Sequence, residues 1–529
     1  MKRQYFAAML TAGFALPALA ATTSVATVED LINAVQTAKN YDEIVVMASG
    51  SPYEFTTDQK DIVAHLYARV KITLRGETGN PADVVLVGNA NRILYLTYND
   101  NSIRDLTFRN GDCTGYTPRG SADGEPYDTL RGGAICLKSD NDSTTVISNC
   151  VFQSCKSKNG GGACGTYSVS NSGGNYYDCV FDGNSTSPTD VNTTLAIGGG
   201  ALYRAKFVKS STFRNNYSST LNGGALYGIP DVAACSIVSN ATSSTKGFGG
   251  GVFDCTLTGC SVASNYAYRC GAATDSRFYS CTNRANKSQG DYLEFGQTSN
   301  GPGCYAEDCV FIDVGNSGVK TFGTSAFNRC RFDGNSFVSG SHVFSQTFSM
   351  TNCLISGTSG IRFFQSLNPG CEMVNCTVVS NTYYFTENTA SYAPRLTIKN
   401  SFFYGNNCRN DTSKAADISA VATNLVSSFQ NSILSAKTDQ YVPGSGNYNY
   451  YSERATFNPG FVGAENDPEN PFAIVRKSPA CKMAGIVEDW MASATDIRGD
   501  GFPRLRAEKV NIGCYQYWGE IPGMTIIIR

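Results

Sequence analysis

Residues 179–184 read Cys-Val-Phe-Asp-Gly-Asn, and this pattern recurs along most of the chain. Its common form is Cys, any residue, a large apolar residue, two variable residues and Asn. Complete copies begin at Cys179, Cys235, Cys260, Cys330 and Cys376. Ser takes the first position at Ser211 and Ser401, and looser copies begin at Cys150, Cys281, Cys309 and Cys353. Self-similarity with a period of roughly 20–50 residues indicates a repeat architecture.

The spacing of the copies indicates stacked coils of short strands. From Cys235 to Ser401 the copies start 25, 21, 28, 21, 23, 23 and 25 residues apart. Strands must keep their register while turns need not, so this variation fits coils better than helical hairpins. Side chains alternate along a strand, and position 3 is apolar in every copy except the one with Asn283. We therefore predict an all-β, right-handed parallel β-helix with positions 1 and 3 inside.

Two other repeat elements predict turns. The Asn at position 6 is expected to adopt a left-handed conformation, which Asn tolerates better than other non-glycine residues. Stacked coils lie about 4.8 Å apart, so these Asn side chains can also form a hydrogen-bonded ladder. Gly-Gly-Ala-Ile at residues 132–135 has counterparts near residues 199 and 223. Its glycines permit a tight bend before the next strand.

The chain divides into four predicted segments. Residues 1–20 combine a basic start, a short apolar stretch and small residues, which is typical of a secretory signal peptide. Residues 21–60 are predicted to form an N-terminal cap with a helix, and residues 61–440 the β-helix repeats. Residues 441–529 lose the repeat and are predicted to form a capping or anchor-like segment. No later apolar run approaches the roughly 18 residues of a transmembrane helix.

The repeat and the tail resemble a known group of proteins. Ile103–Gly111, residues 132–135 and the apolar-x-x-Asn elements resemble secreted bacterial right-handed β-helix repeat proteins, particularly chlamydial polymorphic outer membrane proteins. Asn458–Phe461 and Val510–Tyr515 resemble parts of the choice-of-anchor segment that some β-helix proteins carry. The resemblance implies export, followed by outer-membrane or cell-surface association or secretion. It implies no activity.

The composition limits the class of partner. Charged residues make up 16% of the chain, and the formal net charge is −2 with no basic tract. Nucleic-acid binding relies on a concentrated positive charge. A glycan or another cell-surface macromolecule is therefore the expected partner.

No catalytic motif is recognisable. Parallel β-helices often host polysaccharide lyases and hydrolases, and a glycosidase needs two acids flanking the scissile bond. The Asn-Thr-Asp and Gly-His-Gly signatures of polygalacturonases are missing, and neither His65 nor His342 has a neighbouring acid in the sequence. We therefore predict no catalytic residue.

The insertion between Asn110 and Arg131 is the candidate ligand-binding site, because loops on rigid scaffolds often carry binding sites. Its candidate binding residues are Asp112, Tyr116, Arg119, Asp123, Glu125, Tyr127 and Asp128. Tyr rings can stack on sugars, and oxygen ligands suit Ca²⁺. No specific motif supports a metal site, however, and we predict no cofactor. The alternative is a polar surface loop without a ligand.

The cysteines are expected to be mostly reduced. Nine of the twenty occupy repeat position 1, where each would act as a small buried side chain in a ladder. Export favours disulfides, and Cys481 and Cys514, outside the repeats, are the candidates for one. Zinc is not expected, because the chain has two isolated His and no Cys-x-x-Cys pair.

Taken together, these features predict an exported cell-surface protein with an adhesin-like binding or structural role. Its expected ligand is a glycan or a host surface. The alternative is a polysaccharide-active lyase or hydrolase of the pectate-lyase-like fold, with a non-standard site in the loop between Asn110 and Arg131.

Overall fold

A computed structural model describes the chain between residues 20 and 519 with gaps. The described ranges are 20–56, 64–89, 91–115, 131–138, 144–166, 173–187, 198–219, 222–243, 247–289, 295–297, 301–313, 320–335, 342–386, 395–408, 416–418, 426–437, 442 and 444–519. The predicted signal peptide, apart from Ala20, lies outside them, as do residues 520–529.

The chain forms a right-handed parallel β-helix, as the repeat predicts. The strand counts that follow are those of the described residues. Sheet A has 17 strands: Thr22–Val25, Asp42–Val46, Ile72–Gly76, Ser102–Arg104, Val146–Ser148, Asn175–Tyr177, Phe207–Lys209, Val232–Ala233, Thr256–Thr258, Arg277–Tyr279, Cys304–Glu307, Ser325–Asn328, Phe348–Thr351, Cys371–Val374, Leu396–Lys399, Val426–Gln430 and Gly444–Ser445. Sheet B has 16: Tyr53–Glu54, Val85–Val87, Thr107–Arg109, Val151–Gln153, Val180–Asp182, Thr212–Arg214, Ser236–Val238, Ser261–Ala263, Thr282–Arg284, Val310–Ile312, Arg331–Asp333, Leu354–Ser356, Thr377–Val379, Phe402–Tyr404, Ile433–Leu434 and Tyr448–Asn449.

Two further sheets complete the coils. Sheet C has 14 strands: Leu66–Ala68, Leu94–Leu96, Ile135–Leu137, Cys164–Thr166, Leu202–Tyr203, Leu226–Tyr227, Val252–Phe253, Ala273–Thr274, Phe295–Gly296, Lys320–Phe322, His342–Gln346, Ser359–Leu367, Thr382–Thr386 and Asn407–Cys408. Sheet D has six: Lys156–Ser157, Ser185–Thr186, Tyr217–Ser218, Ala241–Thr242, Tyr266–Ala267 and Lys287–Ser288. Each coil runs from a strand of sheet A to a strand of sheet B and then to a strand of sheet C. In the coils that have a strand of sheet D, that strand lies between those of sheets B and C.

Helices in the described ranges are few and short. The α-helices there are Val28–Thr37 and Pro479–Lys482, and the 3₁₀ helices are Ala48–Gly50, Pro81–Asp83, Tyr451–Glu453 and Asp489–Ala492. None of the helices in the described ranges is long and apolar enough to cross a membrane.

The left-handed turn residue is not the one that the sequence predicted. The residue at position 5 takes the positive φ, as in Gly183 (66°) and Ser239 (56°), and it directly precedes the Asn. The prediction for position 6 was therefore wrong. The residue at position 5 turns the chain, which leaves the Asn side chain buried and free to bond along the stack.

The Asn ladder itself is confirmed. Asn216 Nδ2 donates to Asn240 Oδ1 at 2.9 Å and to the Phe181 carbonyl at 3.0 Å. The backbone N–H of Asn216 donates to the same Asn240 oxygen at 3.0 Å. Equivalent Asn–Asn bonds link Asn184 through to Asn286, and Asn381 to Asn406. The ladder thus satisfies buried polar groups that the turn would otherwise leave unpaired.

The Cys residues at position 1 form a second inward row. All nine are at most 3% exposed and carry free thiols. Cys281 Sγ accepts the N–H of Cys260 at 3.4 Å and donates to the Tyr279 carbonyl at 3.3 Å. Ser211 does the same, accepting the Cys179 N–H at 3.1 Å and donating to the Lys209 carbonyl at 2.9 Å. The thiols are therefore hydrogen-bonding turn residues and not merely small apolar fillers, which explains why Ser can replace them.

We predict that these thiols are unreactive in the native protein. Burial raises the pKa of Cys179 to about 12 and that of Cys150 well above its ordinary value, and only the thiolate reacts readily. Titration with a chromogenic thiol reagent should detect few groups in the folded chain and most of the twenty cysteines after denaturation without reductant. Almost no free thiol in the denatured, unreduced chain would show instead that the ladder is cross-linked.

The N-terminal helix caps the solenoid as predicted. Thr27 Oγ1 accepts the N–H of Asp30 at 3.1 Å, which satisfies a donor in the first helical turn. Leu31 and Val35 are buried in the core, and the helix contacts the first strands of sheets A and C. Sheet A itself begins at Thr22–Val25, inside the segment predicted as the cap.

The C-terminal segment folds back along the outer face of sheet B. Phe402 and Ile433 point out of the solenoid and pack in one buried cluster with Ile512. The N–H of Cys514 donates to Thr377 Oγ1 at 3.0 Å, and Arg331 Nη2 donates to Asn470 Oδ1 at 2.7 Å. The non-repeat segment thus covers the flank of the C-terminal coils.

The disulfide predicted between Cys481 and Cys514 is not formed in this structure. Both residues are free thiols, with Cys514 buried and Cys481 half-buried. The Cys481 thiol donates to the Val475 carbonyl at 3.4 Å, whereas Cys514 packs against the flank of the solenoid at Thr377. The two sulfurs therefore have separate partners.

Candidate functional site

The predicted loop site is described only at its base. Tyr116, Arg119, Asp123, Glu125, Tyr127 and Asp128 lie outside the described residues. Asp112 lines a cleft of about 580 Å³ together with Glu54 and Lys156. Its carboxylate also accepts the N–H of Thr114 at 2.7 Å, which holds the start of the loop. Two carboxylates and one ammonium group therefore share this cleft.

A metal site is not apparent in this part of the chain. Across the described ranges, no group of three or more His, Cys, Asp and Glu side chains is arranged to hold an ion. Ca²⁺ usually takes about six to eight oxygen ligands, and Asp112 with Glu54 supplies too few.

The histidine of the described core has a structural role. His65 is buried, its ring stacks on Phe55 with centroids 4.5 Å apart, and its Nε2 bonds the Gly88 carbonyl at 2.7 Å. Burial lowers the pKa of His65, so the imidazole is neutral at neutral pH. It packs inside the first coils and faces no cleft described above.

A second cleft, of about 450 Å³, lies on the outer face of sheet A. Its floor is formed by the starts of the strands Arg277–Tyr279, Cys304–Glu307, Ser325–Asn328 and Phe348–Thr351, and its wall by the turns that enter them from sheet C. Tyr305 lines the cleft, and Tyr279 lies beside it. One such turn contains Gly303, with a φ of 82°, where a Cβ would come within 2.5 Å of the Thr324 carbonyl oxygen. Glycine therefore allows the wall to pack closely.

Strand alternation places an aromatic pair and a cation on this face. Phe278 and Ala306 point into the core, while Arg277 and Tyr305 point outward and are paired in register. The rings of Tyr279 and Tyr305 have centroids 5.8 Å apart and an interplanar angle of 52°. Both tyrosines are partly exposed, and Arg277 is exposed.

Asp275 lines the cleft and its Oδ1 accepts the Gly303 N–H at 3.1 Å, whereas Glu307 and Asp308 lie outside the lining and are neutralised. Glu307 accepts the Tyr305 hydroxyl at 2.9 Å and an Arg329 guanidinium N–H at 2.6 Å. Arg329 also bonds Asp308 at 2.7 Å, and that contact raises the pKa of the guanidinium. Arg277, by contrast, has no ion pair with any described residue. It is therefore the cation available to a ligand in this cleft.

The sequence analysis missed these residues. The inward residue at repeat position 1 fixes which residues of the preceding strand point outward. Tyr279 lies two residues before Cys281, and Tyr305 lies four residues before Cys309, so both occupy outward positions. Outward aromatic residues just before the repeat Cys are the signal that was present. They were overlooked because the repeat pattern reports inward positions.

Solved structures offer only distant similarities to this chain. No protein-family model and no curated protein matches the sequence. A PL6 family alginate lyase is 15% identical with a TM-score of 0.32, covering 72% of this chain and 51% of the lyase, so the chain spans about half the length of that enzyme. The pectate lyase Pel9A is 10% identical with a TM-score of 0.24 (coverage 92% and 90%). A polygalacturonase from Erwinia carotovora ssp. carotovora is 11% identical with a TM-score of 0.25 (coverage 80% and 96%).

Proposed function

We propose that this is an exported protein of the bacterial cell surface that binds a glycan in the cleft on the outer face of sheet A. The observation that carries the proposal is the Tyr279–Tyr305 pair beside Arg277, which has no ion pair in the described structure. Export and surface display are supported by the basic and apolar start of the sequence and by its resemblance to surface β-helix proteins.

The chemistry of the cleft suits a sugar. Partly exposed aromatic rings offer an apolar face to the C–H groups of a pyranose ring, while their hydroxyls hydrogen-bond. An arginine donates several directed hydrogen bonds to a carboxylate or to sugar hydroxyls. A concave site with a few placed polar groups is the usual form of a small-ligand site.

Binding tests this proposal directly. Residues 21–529 should bind at least one class of polysaccharide on a glycan array, and Arg277→Ala and Tyr305→Ala should each weaken that binding at least tenfold by calorimetry, about 1.4 kcal/mol. Arg214→Ala is the matched control, because Arg214 is exposed on sheet B and paired with Asp182. If Arg277→Ala and Arg214→Ala bind the glycan equally well, the cleft on sheet A is not the site.

A second candidate function is polysaccharide cleavage in the Asp112 cleft. Two carboxylates lining one cleft are the minimum that a glycosidase requires, and Lys156 provides a potential base for a lyase. Incubation with a polysaccharide panel should then yield new reducing ends or the absorbance of unsaturated uronates. Asp112→Asn and Glu54→Gln should each abolish that product. A wild-type protein that releases none excludes this candidate for the polysaccharides tested.

A further inference from the structure

We propose that sheet A carries two matching aromatic platforms and that together they bind one extended acidic polysaccharide running along the solenoid axis. The first platform is Tyr177 with Phe207, and the second is Tyr279 with Tyr305. The inference rests on the proposed function, because Tyr305 of the second platform lines the cleft described above. It adds a second site, a direction for the bound chain and a ligand class.

The two platforms have the same geometry. The rings of Tyr177 and Phe207 have centroids 5.5 Å apart and an interplanar angle of 50°, against 5.8 Å and 52° for Tyr279 and Tyr305. In each platform a tyrosine that ends one strand contacts an aromatic residue placed diagonally on the next strand. All four rings are partly exposed on the outer face of sheet A.

The platforms are in register along the solenoid axis. The strand Asn175–Tyr177 pairs with the strand that starts at Phe207, which pairs in turn with those that start at Val232, at Thr256 and finally at Arg277. Equivalent rings are therefore four strand steps apart, or about 19 Å at a spacing of about 4.8 Å. An extended pyranose chain advances by close to this spacing per sugar. About six sugars would thus span the five steps between Tyr177 and Tyr305.

The surface between the platforms is open. The intervening strands present Ala233, Thr256 and Thr258 outward, and these side chains are small. No large side chain on these two strands rises between the platforms. A straight polymer chain can therefore lie across the sheet without a bend.

The charges favour an acidic chain. Lys209 is paired in register with Tyr177, and Arg277 with Tyr305, so each platform has an exposed cation beside it. Neither cation has an ion pair with a described residue. Asp231 and Asp254, exposed just before the two intervening strands, and Asp275 in the lining of the cleft are the opposing charges in this region. A chain with regularly spaced carboxylates would contact both cations, and the acids that oppose it lie at the turns that enter the strands, of which Asp231 is the closest in sequence to an intervening strand.

Chain length tests the two-platform arrangement. Oligogalacturonides of three and six residues are titrated calorimetrically into residues 21–529. The hexamer should bind at least tenfold more tightly than the trimer, because the second contact is intramolecular. The double variant Tyr177→Ala/Phe207→Ala should reduce hexamer affinity to the trimer value and leave trimer binding at the second platform intact. Tyr217→Ala, an exposed tyrosine on sheet D, is the control and should change neither affinity.

Charge tests the ligand class. Asp231→Asn should tighten hexamer binding several-fold at low salt and leave a neutral β-1,4-glucan hexamer unaffected. The two-platform arrangement would be overturned if the trimer and the hexamer bound with equal affinity, or if the double variant bound the hexamer as tightly as the wild type. Either result would leave a single glycan site intact. If the protein bound the neutral glucan hexamer more tightly than the oligogalacturonide hexamer, the ligand would not be an acidic polysaccharide. If no glycan binds residues 21–529 at all, the proposed function fails as well. Circular dichroism confirms that each variant is folded.

Discussion

Replacing Asp417 with alanine should lower the free energy of unfolding of the C-terminal coils by about 4 kcal/mol or more. Asp417 is 1% exposed and ends the Asn ladder. Its Oδ1 accepts the backbone and side-chain N–H groups of Asn406 at 3.0 and 2.9 Å. Its Oδ2 accepts the N–H of Ser435 at 2.9 Å and the Tyr450 hydroxyl at 2.6 Å. Alanine would remove the acceptor of all four donors. The Tyr450 hydroxyl would keep the Phe403 carbonyl at 3.3 Å, and each of the three N–H bonds lost costs roughly 1–3 kcal/mol.

The effect of this substitution should be local, because coils of a solenoid contact only their neighbours. Hydrogen–deuterium exchange should accelerate in Val426–Gln430 and Ile433–Leu434 and stay unchanged around Phe152. Asp417→Asn should be intermediate, since its oxygen still accepts from Asn406 while its NH₂ group faces the Ser435 N–H. Asp500→Ala, at an exposed position, is the control and should cost less than about 0.5 kcal/mol. If the hydrogen–deuterium exchange rates of the Asp417→Ala protein equalled those of the Asp500→Ala control, the role assigned to Asp417 would be wrong.

Replacing Asn240 with alanine should cost about 3 kcal/mol in the middle of the solenoid. Asn240 Oδ1 accepts two N–H groups of Asn216, at 3.0 and 2.9 Å. Asn240 Nδ2 donates to the carbonyl oxygen of Phe213 and to Asn265 Oδ1, both at 3.0 Å. All three Asn residues are buried, so water cannot replace these bonds without opening the turn.

Urea denaturation followed by circular dichroism measures this loss, and hydrogen exchange should place it in the coils on both sides of Asn240. Asn33→Ala is the matched control, because Asn33 is exposed on the N-terminal helix. The ladder would be dispensable if the Asn240→Ala protein denatured at the same urea concentration as the Asn33→Ala protein.

Much of the fold was predictable because the repeat records it directly. Inward positions must be filled by side chains of one kind in every coil, so the Cys at position 1, the apolar residue at position 3 and the Asn at position 6 recur. The position of the left-handed residue was not predictable from the Asn alone. Position 5 holds Gly183 in one coil and Ser239 in another, and such variable residues leave no pattern.

The candidate site was less predictable than the fold. The sequence analysis favoured the loop after Asn110 because its acids and tyrosines are close in sequence, and only Asp112 of that set lies in the described structure. The aromatic pairs escaped notice because their members are far apart in sequence. Tyr177 and Phe207 are 30 residues apart, and Tyr279 and Tyr305 are 26 apart.

The sequence by itself determined the parallel β-helix, its inward rows and its N-terminal cap, because each depends on local periodicity and capping chemistry. Only the tertiary structure decided which outward side chains meet and where the C-terminal segment packs. Turns of variable length separate consecutive strands, so the sequence distance between neighbouring outward residues carries no fixed period. Stacking the coils brings Arg277 beside Tyr305 and sets Phe402 against Ile512. Those contacts exist only once the backbone hydrogen bonds between coils have set the register.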